Sequence, residues 1–374
     1  MKKICFISGS RADFGLLLNL MLKVKINPKL IFQLILIGPK IFVKNKYTLR
    51  EIKKNKIKIN YKVNLNFKQD NSENICNAMS QTIKKVSDKI QKLKPDLIIL
   101  LGDRFEIFAA CSAAYIHRIP ICHLHGGELS LGSLDDGLRH AITKMSNLHF
   151  VANKIYARRV RQLGEDPNKI FVTGGFGIDL IKNTKLLQKG ELEKKIGIRF
   201  GKKNMLVTYH PETMDKRNPK KDFNQLLKAL NYFDDTNIIF TRTNPDIFGS
   251  VINKMIDKYV SKNKKKRFVF TSMGQTNYLS SIKFVDCVIG NSSSGITEVP
   301  YLKKPTINIG KRQNKRLSAS SVINVKPNYV DIVKAIKKIY KKKLFEKLSN
   351  KKNPYGKGGA SQRAIKIILS YKKK

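Results

Sequence analysis

The sequence predicts an α/β fold of two Rossmann-like, doubly wound domains, and three observations lead to this class. Short β-branched, apolar runs alternate with longer amphipathic segments, as in parallel sheets covered by helices. This alternation restarts near Lys203, after a polar stretch. The chain has 374 residues, more than one hydrophobic core usually serves. We therefore expect two domains, with an interdomain cleft at the carboxyl ends of their strands.

In the first half, strands are predicted at KKICFIS, IFQLILIG, DLIILLG, IPICHLH, LHFVAN and KIFVTGG. Helices are predicted from about Asp13, over FEIFAACSAAYIHR and from Asp136. The segment SENICNAMSQTIKKVSDKIQKL predicts a further helix with Ser72 as its N-cap. The residues expected on one apolar face of that helix are Ile75, Met79, Ile83 and Val86.

The second half predicts strands at NMLVTYH, NIIFTRT, RFVFTS, FVDCVIG and PTINIG, each followed by a segment compatible with a helix. Residues 178–202 are polar and weakly patterned, so they are predicted to be a linker. This divides the chain into an N-terminal domain of residues 1–177 and a second domain of residues 203–352.

The net charge of +47 raises the question of a polyanionic partner. The basic runs are spread along the chain without interleaved aromatic residues, and no helix-turn-helix or finger signature accompanies them. We therefore interpret the charge as lysine on solvent-exposed faces and expect a small anionic ligand, with no nucleic acid and no membrane as partner. A basic polyanion-binding protein is the alternative from another functional class.

The five cysteines include no C-x-x-C pair, and most lie in apolar runs. They predict buried free thiols in a reducing compartment and exclude a zinc site. The N-terminus lacks the apolar segment of a signal peptide, and no apolar run is long enough to span a bilayer. The sequence therefore predicts a cytoplasmic protein.

The segment HLHGGELSLGSLDDGLRHAITKMSN follows a predicted strand and is crowded with titratable groups. Gly126 and Gly127 allow a sharp turn or a close approach to a ligand. Asp135 has a second interpretation, as the N-cap of the next helix. Seven titratable groups exceed what capping requires, which favours a functional site. They are His123, His125, Glu128, Asp135, Asp136, Arg139 and His140.

Other strand ends carry further candidates, as expected for open α/β sheets. The turn GSRADFG offers backbone N–H groups beside Arg11, and GDRFE places Asp103 and Arg104 after a strand. For GDRFE, a helix cap with an ion pair explains the residues equally well.

The second half has similar strand ends. TYHPET contains His210, and TRTNPD contains Arg242 and Asn244. The turn GNSSSG enters a helix, so its hydroxyl and N–H donors suit a diphosphate. Glu298, later in that helix, suits ribose hydroxyls, although a well-capped helix is the alternative.

Six motifs together resemble the hydrolysing UDP-N-acetylglucosamine 2-epimerases in order and spacing. They are GSRADFG, LGDRFEIFAA, HLHGGELSLGSLDDGLRHAITKMSN, YHPET, GNSSSGITEVP and INIGKRQ. The resemblance implies the GT-B-like epimerase fold and a C-terminal helix in residues 353–374 that crosses back to the first domain. It also implies a hydrolase that supplies an N-acetyl sugar for sialic or legionaminic acid and hence for polysaccharide biosynthesis.

Site residues follow from the resemblance residue by residue. It makes Asp103 and Asp135 catalytic carboxylates and His210 an active-site residue near the diphosphate. Many relatives have Glu in place of His125, so His125 and Glu128 share the assignment of that acid/base role. The stretch IGPK, with Lys40, also departs from the family. The residues expected to bind the nucleotide or substrate are Arg11, Arg104, Asp136, Asn244, Ser292, Ser293, Ser294, Glu298 and Arg312.

The expected reaction eliminates the nucleotide to leave a 2-acetamidoglucal, which then adds water. Loss of the C2 proton needs a positioned carboxylate, and inversion at C2 needs groups on both faces of the ring. No metal or cofactor is expected, and the family suggests a homo-oligomer, a dimer or a tetramer. The alternatives within enzymes are a non-hydrolysing 2-epimerase and a glycosyltransferase of the same fold. The sugar, and the choice between UDP and GDP, stay open.

Overall fold

The computed structural model describes residues 1–9, 11–39, 49, 52–65, 71–130, 133–212, 218–243, 248–341 and 353–372. The chain forms two compact units. Unit 1 comprises Met1–Glu128, Leu134–Asn183 and Tyr355–Lys374, and unit 2 comprises Leu129–Ser133 and Thr184–Pro354. The boundary at Asn183 falls inside residues 178–202, and most of that interval is helical.

The strands of unit 1 are β1 Lys2–Ser8, β2 Leu30–Pro39, β3 Tyr61–Leu65, β4 Leu97–Leu101, β5 Ile121–Leu124, β6 Leu148–Val151 and β7 Ile170–Val172. Within the described residues they form one parallel sheet of seven strands in the order β3-β2-β1-β4-β5-β6-β7. The order reverses direction between β1 and β4, which is where ligands bind in doubly wound sheets.

Helices cover both faces of this sheet. They are α1 Arg11–Lys25, α2 Ser72–Leu93, α3 Phe105–Ile116, α4 Asp135–Lys144, α5 Lys154–Gln162, α6 Phe176–Asn183 and, from the end of the chain, α13 Ala360–Ser370. Alternate residues of β1 pack into separate cores, Ile4 and Phe6 into one and Cys5 and Ile7 into the other. The apolar runs are therefore buried on both faces, as the sequence predicts for a parallel sheet.

Helix α2 differs in detail from the prediction. Its N-cap is Asn71, whose side chain accepts a hydrogen bond from the Asn74 N–H, and Ser72 is the first helical residue. Its buried face is Ile75, Ala78, Thr82, Val86 and Ile90, whereas Ile83 is 41% exposed. Ile75 and Val86 are thus buried as predicted, and the small Ala78 and Thr82 complete the buried face in place of Ile83.

Unit 2 repeats the architecture. Its strands are β8 Asn204–Thr208, β9 Asn237–Thr241, β10 Arg267–Phe270, β11 Cys287–Gly290, β12 Thr306–Ile309 and β13 Val322–Val325. In the part of the chain that is described, these form a parallel sheet of six strands in the order β10-β9-β8-β11-β12-β13. The helices are α7 Lys189–Ile196, α8 Pro219–Asn231, α9 Gly249–Ser261, α10 Gln275–Phe284, α11 Ser294–Tyr301 and α12 Tyr329–Ile339.

Two strands lie outside the predicted set, β3 and β13, and both are edge strands of their sheets. Each is short and only partly buried, so its sequence lacks the continuous apolar run of the central strands. Their pairing depends on the neighbouring strand and not on a local pattern.

Helix α13 closes the core of unit 1. Ala360, Ala364 and Ile368 are completely buried and belong to the same apolar cluster as α1. Asp179 of α6 accepts hydrogen bonds from three successive backbone N–H groups at the start of α13, those of Gly359, Ala360 and Ser361. Gly359 has no side chain with which to cap the helix, so the buried Asp179 carboxylate does so instead.

All five cysteines are free thiols. Four are buried as predicted, and Cys76 on α2 is exposed. Burial raises the pKa of the Cys111 thiol to about 12, so this group stays protonated. Among the described residues, every helix is too short or too polar to cross a bilayer.

Candidate functional site

The candidates of unit 1 lie at the carboxyl edge of its sheet, after β1, β4 and β5 and at the start of α4. Asp103 follows β4 and forms an ion pair with Arg139 of α4. The Arg139 side chain is only 5% exposed, and that of Asp103 is 19% exposed. Asp103 therefore keeps access to solvent while a buried guanidinium fixes its carboxylate.

Arg104 occupies the N-cap position of α3, but its side chain makes no capping bond. Its Nε lies 2.7 Å from Oε1 of Glu106, which is buried. Burial raises the pKa of the Glu106 carboxyl, and the charge of Arg104 opposes that shift. A Cβ added at Gly9 would lie only 2.5 Å from Glu106 Cγ. Gly9, which directly follows β1, therefore packs closely against the Glu106 side chain.

His125 and Glu128, which the sequence leaves as alternatives, form one pair. Nδ1 of His125 lies 2.9 Å from Oε1 of Glu128, and the Glu128 side chain is 1% exposed. His125 has a φ of 66°, a left-handed conformation that is unusual for a non-glycine residue. His125 lies on the same turn as Gly127. A Cβ at Gly127 would lie 2.5 Å from the Tyr156 carbonyl oxygen, so there is no room for a side chain at that position.

Helix α4 begins with two acidic residues. Its N-cap is Leu134 and Asp135 is the first helical residue, so the interpretation of Asp135 as N-cap is wrong. Carboxylates in a first turn are stabilised by the positive end of the helix dipole, which explains why two acidic residues are tolerated there. Asp136 lies 3.8 Å from His140 one turn later. Burial lowers the pKa of His140, and the charge of Asp136 opposes this.

His123 lies on β5 behind these groups and is completely buried. Its Nε2 lies 2.8 Å from the Gly102 carbonyl oxygen, and its Nδ1 lies 3.1 Å from the Thr143 hydroxyl oxygen. Burial lowers the pKa of this imidazole to about 3. His123 is therefore neutral, with its proton on Nε2, because a carbonyl oxygen can only accept.

This buried histidine predicts acid sensitivity. The unfolded chain protonates His123 near its ordinary pKa of 6.5, whereas the folded protein does so only near 3. Between these values the unfolded state binds more protons, so the stability present above pH 6.5 falls as the pH falls. When the pH is lowered from about 7 to about 5.5, we expect the free energy of unfolding of His123→Gln to fall by about 1 kcal/mol less than that of the wild type. Urea denaturation at both pH values measures the difference, and equal losses would contradict the assignment.

The candidates of unit 2 lie at the carboxyl ends of β8, β11 and β12. The backbone N–H of His210 donates to Oδ1 of Asn291 at 2.7 Å, and the Asn291 amide returns a bond to the His210 carbonyl at 2.8 Å. Nδ1 of His210 lies 2.8 Å from the Thr243 hydroxyl oxygen. The ring of His210 is thereby fixed, which suits a residue that must hold one orientation toward a ligand.

Glu212 organises the loop that contains Arg312. Its Oε1 accepts hydrogen bonds from the backbone N–H groups of Lys311 at 2.6 Å and Arg312 at 3.2 Å. Arg312 Nη1 in turn donates to the Asn291 carbonyl at 3.2 Å, and Gln313 Nε2 donates to the same oxygen at 2.8 Å. The loop after β12 and the turn after β11 are thus tied together.

This arrangement gives a prediction for Glu212→Gln. The amide keeps one acceptor oxygen but loses the charge that holds two N–H groups, so the loop with Arg312 should loosen. We expect affinity for the nucleotide implied by the resemblance, tested as UDP and GDP, to fall about tenfold, measured by calorimetry. The matched control is Glu191→Gln, which alters an exposed ion pair with Lys195 and should leave affinity unchanged. Equal affinities for the wild type and Glu212→Gln would contradict the prediction.

The serine-rich turn enters α11 as the sequence predicts. Ser293 is the N-cap residue without a side-chain capping bond, and the Ser294 N–H lies 3.4 Å from Ser292 Oγ. The Tyr278 hydroxyl donates to Ser294 Oγ at 3.1 Å, and burial raises the pKa of Tyr278 to about 12. Glu298 is buried within α11 and accepts a hydrogen bond from the Thr297 hydroxyl. The expected contact of Glu298 with ribose stays a prediction.

Three residues singled out from the sequence cannot be placed. Asn244 and Lys40 lie outside the described residues, and so does the side chain of Arg11. Arg242 is described, and it forms a two-bond ion pair with Asp257 at 2.9 and 2.6 Å on the surface.

Unit 1 therefore holds Asp103, Arg104, His125, Glu128, Asp135 and Asp136, and unit 2 holds His210, Ser292, Ser293, Ser294, Glu298 and Arg312. The sequence places Arg139 among seven clustered titratable groups, but it assigns no individual role to Arg139, Glu106 or Asn291. Glu106 is the last residue of GDRFE, and Asn291 is the second residue of GNSSSG, so each belongs to a motif that the sequence had already singled out. Arg139 required the tertiary contact with Asp103.

Comparison with known proteins gives consistent results. The family described as UDP-N-acetylglucosamine 2-epimerase matches residues 24–369. The chain is similar to the GDP/UDP-N,N'-diacetylbacillosamine 2-epimerase (hydrolyzing) of Campylobacter jejuni, with 39% identity over 94% of this chain and 88% of the relative. It is also similar to the polysialic acid biosynthesis protein P7 of Escherichia coli, with 36% identity over 99% of this chain and 94% of the relative.

Among solved structures, the chain is similar to a UDP-N-acetylglucosamine 2-epimerase of Neisseria meningitidis bound to UDP-N-acetylglucosamine. The TM-score is 0.85 at 19% identity, over 99% of this chain and 100% of the other. Together with the two parallel sheets, this likeness confirms the predicted fold class, two Rossmann-like domains of the GT-B-like type.

Proposed function

Because the chain belongs to the UDP-N-acetylglucosamine 2-epimerase family, in its hydrolysing group, we propose that it acts on a nucleotide-linked diacetamido sugar. The substrate is UDP- or GDP-N,N'-diacetylbacillosamine, and the products are the free manno-configured sugar and the nucleotide. The relative from Campylobacter jejuni supports this choice by its name and its 39% identity. UDP-N-acetylglucosamine is the second candidate substrate, which the family description favours.

Unit 2 binds the diphosphate in this proposal. The Ser292–Ser294 turn presents hydroxyl and N–H groups at the positive end of α11, and Arg312 supplies a full positive charge. As the C1–O bond breaks, its electron pair moves onto the diphosphate. These donors stabilise that charge without having to reorganise, because Glu212 and Asn291 already hold the loop and the turn.

Unit 1 supplies the acid/base chemistry. The observation that carries the proposal is that two carboxylates, Asp103 and Glu128, lie at one sheet edge, each with a cationic or titratable partner. Asp103 removes the C2 proton while the nucleotide leaves, which creates the C1–C2 double bond of the glucal. Water then adds its oxygen to C1, and C2 receives a proton on the opposite face.

The His125–Glu128 pair and Asp135 are the groups proposed for that second stage. A histidine beside a carboxylate can hold and deliver a proton near neutral pH, and a single base cannot serve both faces of the ring. The pairing of His125 with Glu128 also accounts for the departure of this chain from relatives with Glu in place of His125. We further propose a cytoplasmic homo-oligomer that acts in nonulosonic acid and polysaccharide biosynthesis.

A product analysis tests the function. The protein is incubated with UDP- and GDP-linked diacetylbacillosamine and with UDP-N-acetylglucosamine in deuterium oxide, and the products are identified by mass spectrometry and NMR. We expect free nucleotide and a free manno-configured sugar with one deuterium at C2. A nucleotide-linked epimer would indicate the non-hydrolysing reaction, and turnover only with an added acceptor would indicate a glycosyltransferase. A sugar without deuterium at C2 would contradict proton exchange there.

A further inference from the structure

His123 contacts two separate segments of the candidate site of unit 1 from a fully buried position. One ring nitrogen lies 2.8 Å from the Gly102 carbonyl oxygen at the end of β4, and the other lies 3.1 Å from Thr143 on α4. The hydrogen bonds are directional, so the ring sets the distance between the β4 end and α4.

The bond to Gly102 acts on Asp103 directly. The Gly102 carbonyl belongs to the peptide bond between Gly102 and Asp103. A hydrogen bond to this oxygen therefore fixes the orientation of that peptide plane, and with it the direction in which the Asp103 side chain leaves the backbone. Gly102 has a φ of 87°, and among the described residues no atom beyond its chain neighbours lies within 4 Å of where its Cβ would be. Glycine is thus required here because of the positive φ and not because a side chain would clash. Since a glycine backbone is flexible, a hydrogen bond from another segment is needed to fix it.

The bond to Thr143 acts on Arg139. With the proton of His123 on Nε2, its Nδ1 accepts from the Thr143 hydroxyl, which also lies 3.0 Å from the Arg139 carbonyl oxygen one turn earlier in α4, so the single hydroxyl proton is shared between the two acceptors. The Arg139 guanidinium pairs with Asp103. The contacts therefore close a ring that runs from His123 through Gly102, Asp103, Arg139 and Thr143 back to His123.

The turn that contains His125 and Glu128 rests on the same two side chains. A Cβ at Gly126 would lie 3.0 Å from Thr143 Oγ1 and 3.2 Å from His123 Nδ1. The imidazole therefore lies close to the backbone of this turn as well as to the peptide that leads into Asp103.

We propose that His123 is a positioning residue, a neutral bridge that holds Asp103 against Arg139 and aims its carboxylate at the reacting carbon. This rests on the proposed function, in which Asp103 is the base. His123 itself neither gives nor takes the substrate proton. The chemistry needs a hydrogen-bond donor at the Nε2 position, because that atom contacts the Gly102 carbonyl.

Two substitutions test the roles of the two ring nitrogens separately. The amide of Gln at position 123 reaches the place of Nε2 and can still donate to Gly102, whereas the shorter Asn reaches only the place of Nδ1. The matched control is His149→Gln. His149 is directly opposite His123 on β6, is also buried, and bonds Glu165 and not the loop after β4.

We expect His123→Asn to lower kcat about a hundredfold with KM changed less than about twofold, because a shift of about 1 Å in a reacting group costs that much. His123→Gln should stay within about fivefold of the wild type. His149→Gln should keep the wild-type kcat even if it unfolds at a lower temperature. Thr143→Val is the second probe should His123→Asn fail to fold, and it should lower kcat about tenfold.

Crystal structures of the same variants give a readout that does not depend on activity. The Asp103–Arg139 pair should be intact in His123→Gln and His149→Gln, and broken or rotated in His123→Asn. An intact pair in every variant would overturn the inference, as would equal kcat values for His123→Asn and His123→Gln. If the wild type is inactive on every nucleotide sugar, the proposed function fails, and the structural comparison alone decides the role of His123.

Discussion

Asp103→Asn should lower kcat about a thousandfold while UDP still binds with an affinity within about threefold of the wild type. The amide cannot accept the C2 proton, and general-base catalysis contributes between about a hundredfold and ten-thousandfold. The diphosphate ligands proposed here belong to unit 2, so the substitution leaves them intact. We expect the same pattern for Asp135→Asn. Steady-state kinetics and calorimetry with UDP measure the two quantities separately.

A matched control excludes a general effect of losing an aspartate that pairs with arginine. Asp257→Asn removes the charge from an exposed ion pair with Arg242 and should leave kcat within about twofold. The Asp103 variant also leaves the guanidinium of Arg139 buried without a full counter-charge, so its stability must be measured too. Wild-type turnover in both Asp103→Asn and Asp135→Asn would remove these carboxylates from the mechanism.

Asp179→Ala should lower the free energy of unfolding by about 3 kcal/mol, the largest stability effect that we expect from a single polar side chain in unit 1. The substitution deprives three backbone N–H groups at the start of α13 of their acceptor, and the site is too buried for water to replace it fully. Denaturation midpoints give the global effect. Hydrogen exchange of residues 360–370 gives the local one.

The comparison for this prediction is Asp166→Ala. Asp166 caps a short helical turn, Pro167–Lys169, with one bond to the Asn168 N–H, and it is exposed. Its loss should cost about 1 kcal/mol, because water reaches the freed N–H group. If the two alanine variants were equally stable, the carboxylate of Asp179 would not be what fixes α13.

The sequence predicted the central strands and the fold class because those strands are continuous apolar runs buried on both faces. The edge strands β3 and β13 were not predicted because polar residues interrupt their short apolar segments, YKVNL and VINV. The face of α2 was predicted from its largest side chains. Ile75 and Val86 are buried as predicted, whereas Ile83 is exposed and the smaller Ala78 and Thr82, which hydropathy alone does not single out, are buried.

In the candidate site, strand ends identified the right segments but not the pairs within them. His125 and Glu128 meet where His125 adopts a left-handed conformation, which is too rare for a non-glycine residue to be predicted at a given position. Arg139 reaches Asp103 only through the order of β4, β5 and α4 in space. The role of His123 was equally hidden, because a buried histidine and a catalytic one look the same in a sequence.

The return of the chain to unit 1 at Tyr355 has a consequence for biosynthesis. A ribosome makes all of unit 2 before it makes α13, so the apolar face of α1 that α13 covers stays open to water throughout that interval. The core of unit 1 therefore stays incomplete until α13 has been made. A nascent chain stalled before Ala360 should therefore be the form that chaperones and proteases recognise.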